Sequence, residues 1–144
     1  MSNEHIYETN IKWTEKRKGL FSAEGMGEFE VATPIQFPGG HPNIWAAEHL
    51  YIGAAETCFM TTFLAVAEKS RLEFSSYESK GVGELEPEGR GLVFKKIVLY
   101  PKVTIKNEED RQKTINILEK TARHCIISNS MKNEVVFEAE IVVG

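Results

Sequence analysis

The stretch that most limits what this chain can fold into is residues 44–70, IWAAEHLYIGAAETCFMTTFLAVAEKS. It has no proline and is rich in alanine, which favours a long helix. Its first part is apolar on nearly every face, interrupted only by Glu48, His49 and Glu56. A helix that is apolar all round is a buried one. Gly53, Ala54 and Ala55 would let another element approach closely. A long central helix is therefore expected, wrapped by sheet or by a partner subunit.

The flanks supply the wrapping. Residues 5–32 read as a three-strand meander, with a turn at Arg17-Lys18-Gly19 and breaks at Gly25 and Gly27. The segment TPIQFPGGHPN, residues 33–43, is too rich in proline and glycine for a regular element, and Asn43 offers a helix N-cap. Residues 72–106 read as two long strands joined at Gly89-Arg90-Gly91, with Pro101 at an edge or bulge. Asn107, with Asp110 three residues on, suits the start of a second helix whose apolar stripe is Ile115, Leu118 and Ala122. That helix ends near Arg123-His124, and residues 125–133 form a short turn or helical segment. A last strand, EVVFEAEIVV, puts Val135, Phe137, Ala139, Ile141 and Val143 on one face. Strands in blocks rather than in strict alternation with helices indicate an α+β fold.

A chain of 144 residues sets a prior of one domain, spanning 1–144. With 42% hydrophobic and 26% charged residues, it has the composition of a folded globular protein. Seventeen bases against 21 acids leave a net charge of −4, no electrostatic footprint for nucleic acid or an anionic membrane. The N-terminal MSNEHIYETNIKWTEKRKG has charges throughout and no apolar core, so it does not read as a secretory signal. The uncharged run Thr57 to Ala67 is only 11 residues, too short to span a bilayer. A soluble, cytoplasmic protein is the expectation, and there free thiols stay reduced unless chemistry oxidises them.

Two cysteines, Cys58 and Cys125, are too few for a disulfide-built scaffold or an all-cysteine zinc site. Cys58 lies within the central helix, where a free cysteine commonly serves as a small core hydrophobe. Cys125 follows His124 at a helix end, a place that suits a partly accessible thiol as well as a packed one. His41, His49 and His124 with the cysteines show no metal-ligand spacing, so no metal is expected. His124 reads as a cation complementing a helix C-terminus. Trp45, Tyr51, Phe59 and Phe63 suit a core or a dimer interface, or an apolar pocket for an organic tail.

The segment Glu48 to Phe59 resembles the signature of the OsmC/Ohr family of thiol-dependent hydroperoxide reductases. That signature has a Glu, a Leu two later, small residues, a Cys ten after the Glu, and often a Phe. Glu48, Leu50, Ala54, Ala55, Cys58 and Phe59 stand in that register. Cys125-Ile126-Ile127-Ser128-Asn129 is similar to the family's second cysteine motif, with Ile126 where the family usually has Pro. Arg17-Lys18-Gly19 resembles the Arg-x-Gly of the Ohr branch, with Lys16 and Lys18 as neighbouring cations.

The resemblance spans essentially the whole chain. It implies antiparallel sheets around a long buried helix, and an intertwined homodimer with its active sites at the subunit interface. It implies that Cys58 is the peroxidatic thiol and Cys125 the resolving thiol. Arg17 would stabilise the Cys58 thiolate, and Glu48 would hold the guanidinium, whose planar fork suits a carboxylate. The implied reaction is reduction of an organic hydroperoxide to its alcohol, with an external dithiol, of lipoyl type in this resemblance, as reductant and no metal or organic cofactor. Ten residues of helix rise about 15 Å. Glu48 and Cys58 can therefore share a site only if the helix breaks between them or if Glu48 serves a second subunit. The alternative class is a non-enzymatic protein of the same fold that binds a small apolar ligand or senses oxidants.

Overall fold

The computed structural model describes residues 5–144. The first four positions, where the expected domain span of 1–144 begins, lie outside the described residues. The chain divides into two compact units, Met1–Leu50 and Tyr51–Gly144.

The first unit is the expected meander: β1 (Asn10–Glu15), β2 (Lys18–Ser22) and β3 (Phe29–Ala32), antiparallel in that order. The first turn is tighter than expected. It is the two-residue Lys16-Arg17, with Lys16 at φ 49° and the indole N–H of Trp13 donating to the Lys16 carbonyl at 2.9 Å. Gly19 is not a turn residue but lies inside β2, where a Cβ would fall 2.7 Å from the Lys12 carbonyl oxygen. All six residues of β1 are exposed, among them Ile11 at 66% and Trp13 at 72%.

Asn43 does not cap the central helix. Its φ of 62° turns the chain, and Trp45 then bridges to Val31, with the Ala32 N–H donating to the Trp45 carbonyl at 2.8 Å. The helix α1 (Ala47–Lys69) starts three residues later than the spacing suggested. His49 supplies the cap, its Nδ1 accepting the Ala46 N–H at 3.0 Å. From there α1 runs unbroken past Cys58.

In the second unit, α1 buries a stripe at four-residue spacing, Ala55, Phe59, Phe63 and Ala67. Phe59, Phe63 and Ala67 of this stripe pack on Ile97, Leu99, Val103 and Ile105 of β5 (Gly91–Ile105), which pairs antiparallel along its length with β4 (Phe74–Glu88). The other faces of α1 stay open to varying degrees within this one chain, Leu64 at 39%. By length and composition α1 would suffice to cross a bilayer, which the count over residues 57–67 alone did not register. A core helix meets the same test, and its buried stripe is the core of this unit.

A one-turn 3-10 segment (Glu108–Asp110) leads into α2 (Arg111–His124), and Asn107 precedes it without a side-chain cap. The buried face of α2 is Thr114, Ile117, Leu118 and Thr121, rather than the stripe expected through Ile115. The two threonines fit because their hydroxyls are satisfied within the helix, Thr114 by the Asp110 carbonyl at 2.8 Å and Thr121 by the Ile117 carbonyl at 2.7 Å. After the short α3 (Ile126–Ser130), the last strand is two: β6 (Glu134–Phe137) and β7 (Glu140–Val143), parted at Glu138-Ala139. Both pair parallel to β5, so this sheet is mixed and not wholly antiparallel. The cause is the helical crossover from β5, which returns the chain in the same direction. The α+β class stands.

Candidate functional site

Two sets of candidate side chains come together, one in each unit. In the first, the Lys16-Arg17 turn meets the loop of residues 33–43. The Thr33 N–H donates to the Arg17 carbonyl at 3.2 Å. The Arg17 side chain lies against Gly39: a Cβ there would fall 3.2 Å from Arg17 Cγ and 3.3 Å from Nε, and Gly39 itself sits at φ 79°. Arg17 and Glu48 line one open pocket of about 610 Å³, walled by Ala32, Pro34, Phe37 and Pro38. No ion pair joins the two. Lys18 differs from Arg17 in being engaged, at 3.2 Å to Glu15 and 3.5 Å to Glu30.

The second set is the thiol pair. Cys58 projects from the middle of α1 and is half-buried; Cys125 is fully buried at the joint between α2 and α3. Cys125 has an extended backbone, φ −70° and ψ 109°, because it ends one helix and begins the next. This directs the first N–H groups of α3 at the Cys58 sulfur. Burial pushes the Cys58 thiol up. The N–H of Ile127, the Cys125 thiol, the Thr62 hydroxyl and the N–H of Ile126 outweigh it, and the net shift is downward. Thr62 Oγ1 lies 3.9 Å from Cys58 Sγ. Cys125 moves the opposite way. Burial raises it, the Ser128 hydroxyl and N–H oppose the rise, and neighbouring Cys58 adds to it. The Ser128 hydroxyl donates to Cys125 Sγ at 3.2 Å. Such a pair holds one thiol poised to ionise and its neighbour kept protonated.

Thr62 and the two amides were not singled out in the sequence. Thr62 stands four residues after Cys58, on the same face of a helix, which is the signal that could have found it. Ile126 and Ile127 contribute main-chain groups, which no residue type announces. Among the described residues, no group of three or more His, Cys, Asp or Glu converges as metal ligands.

The family model for OsmC-like proteins matches residues 40–140. YmaD of Bacillus subtilis, an uncharacterized protein, is 24% identical over 99% of this chain and 97% of its own length. An OsmC-like protein of unknown function from Vibrio cholerae superposes with a TM-score of 0.85 at 22% identity, over 94% of this chain and 99% of that one. An organic hydroperoxide resistance protein from Elizabethkingia anophelis superposes with a TM-score of 0.76 at 18% identity, over 100% of both chains. These likenesses show a shared fold.

Proposed function

The chain belongs to the OsmC-like protein family, and from that premise we propose that it is a soluble, cytoplasmic, thiol-dependent peroxidase that reduces organic hydroperoxides. The observation that carries the reading is the adjacency of Cys58 and Cys125 with their acidities displaced in opposite directions. The name of the Elizabethkingia protein, with the same fold, supports it.

In this reading the Cys58 thiolate attacks the distal peroxide oxygen. The O–O bond breaks, the alkoxide leaves and takes up a proton as the alcohol, and Cys58 becomes a sulfenic acid. Cys125 then forms the S–S bond with Cys58, and the sulfenic oxygen leaves as water carrying the Cys125 proton. An external dithiol reduces the disulfide. Arg17 orients the hydroperoxide and stabilises the thiolate, and Glu48 steadies the guanidinium. An unbroken α1 puts about 15 Å of rise between Glu48 and Cys58. This favours a homodimer in which Arg17 and Glu48 of one subunit serve Cys58 of the other. The apolar exposure of Ile11, Trp13 and Trp45 is what such a partner would cover.

The test is consumption of cumene hydroperoxide with dihydrolipoamide by wild type, Cys58→Ser and Cys125→Ser. Multiple turnovers by wild type alone are expected, with a Cys58–Cys125 disulfide visible by mass after one equivalent of peroxide. Wild-type turnover no faster than Cys58→Ser would end the enzymatic reading. A single oxidation without turnover would instead favour an oxidant sensor.

A further inference from the structure

Within the second unit, the C-terminal turns of α1 and α2 lie side by side and form a cavity for which the thiol chemistry above has no use. It measures about 280 Å³ and is lined by Ala65, Val66, Lys69, Ser70, Lys120 and His124. Four-residue spacing explains the grouping. Ala65 and Lys69 stand one turn apart on α1, as do Lys120 and His124 on α2. Ser70 follows the end of α1, but its N–H still donates to the Val66 carbonyl at 2.9 Å and keeps the helical spacing. The wall is therefore mixed. Ala65 and Val66 are apolar, Val66 packing against the core, and the other four side chains carry donors.

The charge of the cavity is one-sided. None of its lining residues is acidic, although acids outnumber bases in this chain by 21 to 17. Among the described residues, no carboxylate lies within ion-pair distance of Lys69, Lys120 or His124, whereas Lys18 and Arg111 both have such partners. Nor do these three side chains or the Ser70 hydroxyl make a hydrogen bond to another described residue. Lys69 and His124 stand in the last turns of their helices, where a cation offsets the helix dipole. That role does not account for Lys120, which lies a turn earlier on α2, where Arg123 also serves the last turn.

We propose that this cavity binds an alkyl carboxylate of medium chain length. The two carboxylate oxygens accept from the Lys69 and Lys120 ammonium groups, the Ser70 hydroxyl and the His124 ring, and the chain lies on Ala65 and Val66. The volume falls at the lower edge of ligand sites, about 300–1,000 Å³, so it suits a small amphipathic anion rather than a large cofactor. A bare inorganic anion would leave the apolar wall uncovered, and a neutral molecule would leave the cations without a counter-charge. The binding needs no thiol and no redox step, so it goes beyond the peroxidase reading and does not rest on it.

Octanoate added to the full chain tests the site, with affinity measured by calorimetry and location by NMR of the Ala65 and Val66 methyl groups. Octanoate should saturate one site per chain and shift both methyl signals. From hexanoate to octanoate, each methylene should tighten binding about fourfold, the transfer value of a buried CH₂. Octanol should bind far more weakly. Lys69→Ala and Lys120→Ala should each weaken octanoate about two- to fivefold, the scale of an exposed ion pair. Ala65→Phe, which fills the apolar wall, should abolish binding. All three positions are exposed, so the variants should keep the wild-type melting temperature. Unchanged affinity in the double lysine variant would overturn the proposal, as would octanol binding as tightly as octanoate. Phosphate that displaces octanoate, with no gain from chain length, would reduce the cavity to a plain anion site and overturn it too. Peroxide turnover is read in a separate assay, so loss of the peroxidase reading would leave each of these binding outcomes decisive.

Discussion

The Ser128 hydroxyl donates to the sulfur of Cys125 at 3.2 Å, from one turn further along the chain. The bond fixes where the buried thiol points and opposes the rise that burial imposes on it. Both effects follow from Cys125 being at once the end of α2 and the start of α3, so that Ser128 lies on the first turn beyond it.

Replacing Ser128 by alanine should therefore leave Cys125 harder to ionise and less well aimed. A neutral hydrogen bond contributes about 0.5–1.5 kcal/mol, so disulfide formation should slow roughly two- to tenfold. Peroxide loss in the first step should be little changed. Rapid quenching followed by mass spectrometry separates the two steps, and an unaltered rate of disulfide formation would remove Ser128 from this role.

Thr62→Val tests the other thiol. The donors around Cys58 hold its pKa below that of an ordinary thiol despite burial. Removing one donor weakens the thiolate, so the Cys58 pKa should rise. Below that pKa the reactive fraction falls about tenfold per pH unit. The acid limb of the rate profile should accordingly move to higher pH: Thr62→Val should lose most at pH 6 and least at pH 9. A loss of the same size at every pH would mean that the substitution damages the site without changing the acidity.

The closeness of β4 to α1 gives a packing prediction. A methyl group at Gly81 would meet Ile52 Cγ2 at 2.8 Å and the Glu56 carboxylate at 3.2 Å. Gly81→Ala should destabilise the fold by about 1–3 kcal/mol, the usual range for overpacking. In an Ile52→Ala background, where the obstructing branch is gone, the same change should be much milder. Urea unfolding of the four proteins measures this coupling, and strict additivity would show that the contact is not what limits residue 81.

Parts of the architecture were legible because one physical signal governed them. The alanine-rich run without proline gave α1, the break at Gly25 and Gly27 gave the second turn of the meander, and Gly89-Arg90-Gly91 gave the long hairpin. The misreadings fall where two signals compete. Asn43 looked like a cap but is used for its tolerance of positive φ, and His49 caps instead. Thr114 and Thr121 lie outside the apolar stripe expected of α2, yet they enter the core because their hydroxyls bond to the Asp110 and Ile117 carbonyls. The final strand alternates without interruption in sequence, but Glu138 N–H donates to the Leu99 carbonyl between β6 and β7 and divides it. At the thiol pair the residue types were readable, whereas the amides of Ile126 and Ile127 acquire meaning only from the turn at Cys125.

The division of the candidate residues between a turn-and-loop pocket and a thiol pair leads to a test by subunit mixing. Arg17 and Glu48 line one pocket, while Cys58 lies ten residues beyond Glu48 on an unbroken helix. If each site draws Glu48 from one subunit and Cys58 from the other, Glu48→Gln and Cys58→Ser chains should complement. In a two-fold dimer made of one chain of each kind, one site has both changes and the other has neither. Co-refolding equal amounts gives about half mixed dimers, so about a quarter of all sites should be intact. Peroxidase activity should thus recover to about a quarter of wild type from two preparations that are each nearly inactive. Mixing the folded homodimers without refolding should give no such recovery, which controls for simple summation of residual activities. Activity after co-refolding that stays at the mean of the two parents would place Glu48 outside its partner's site.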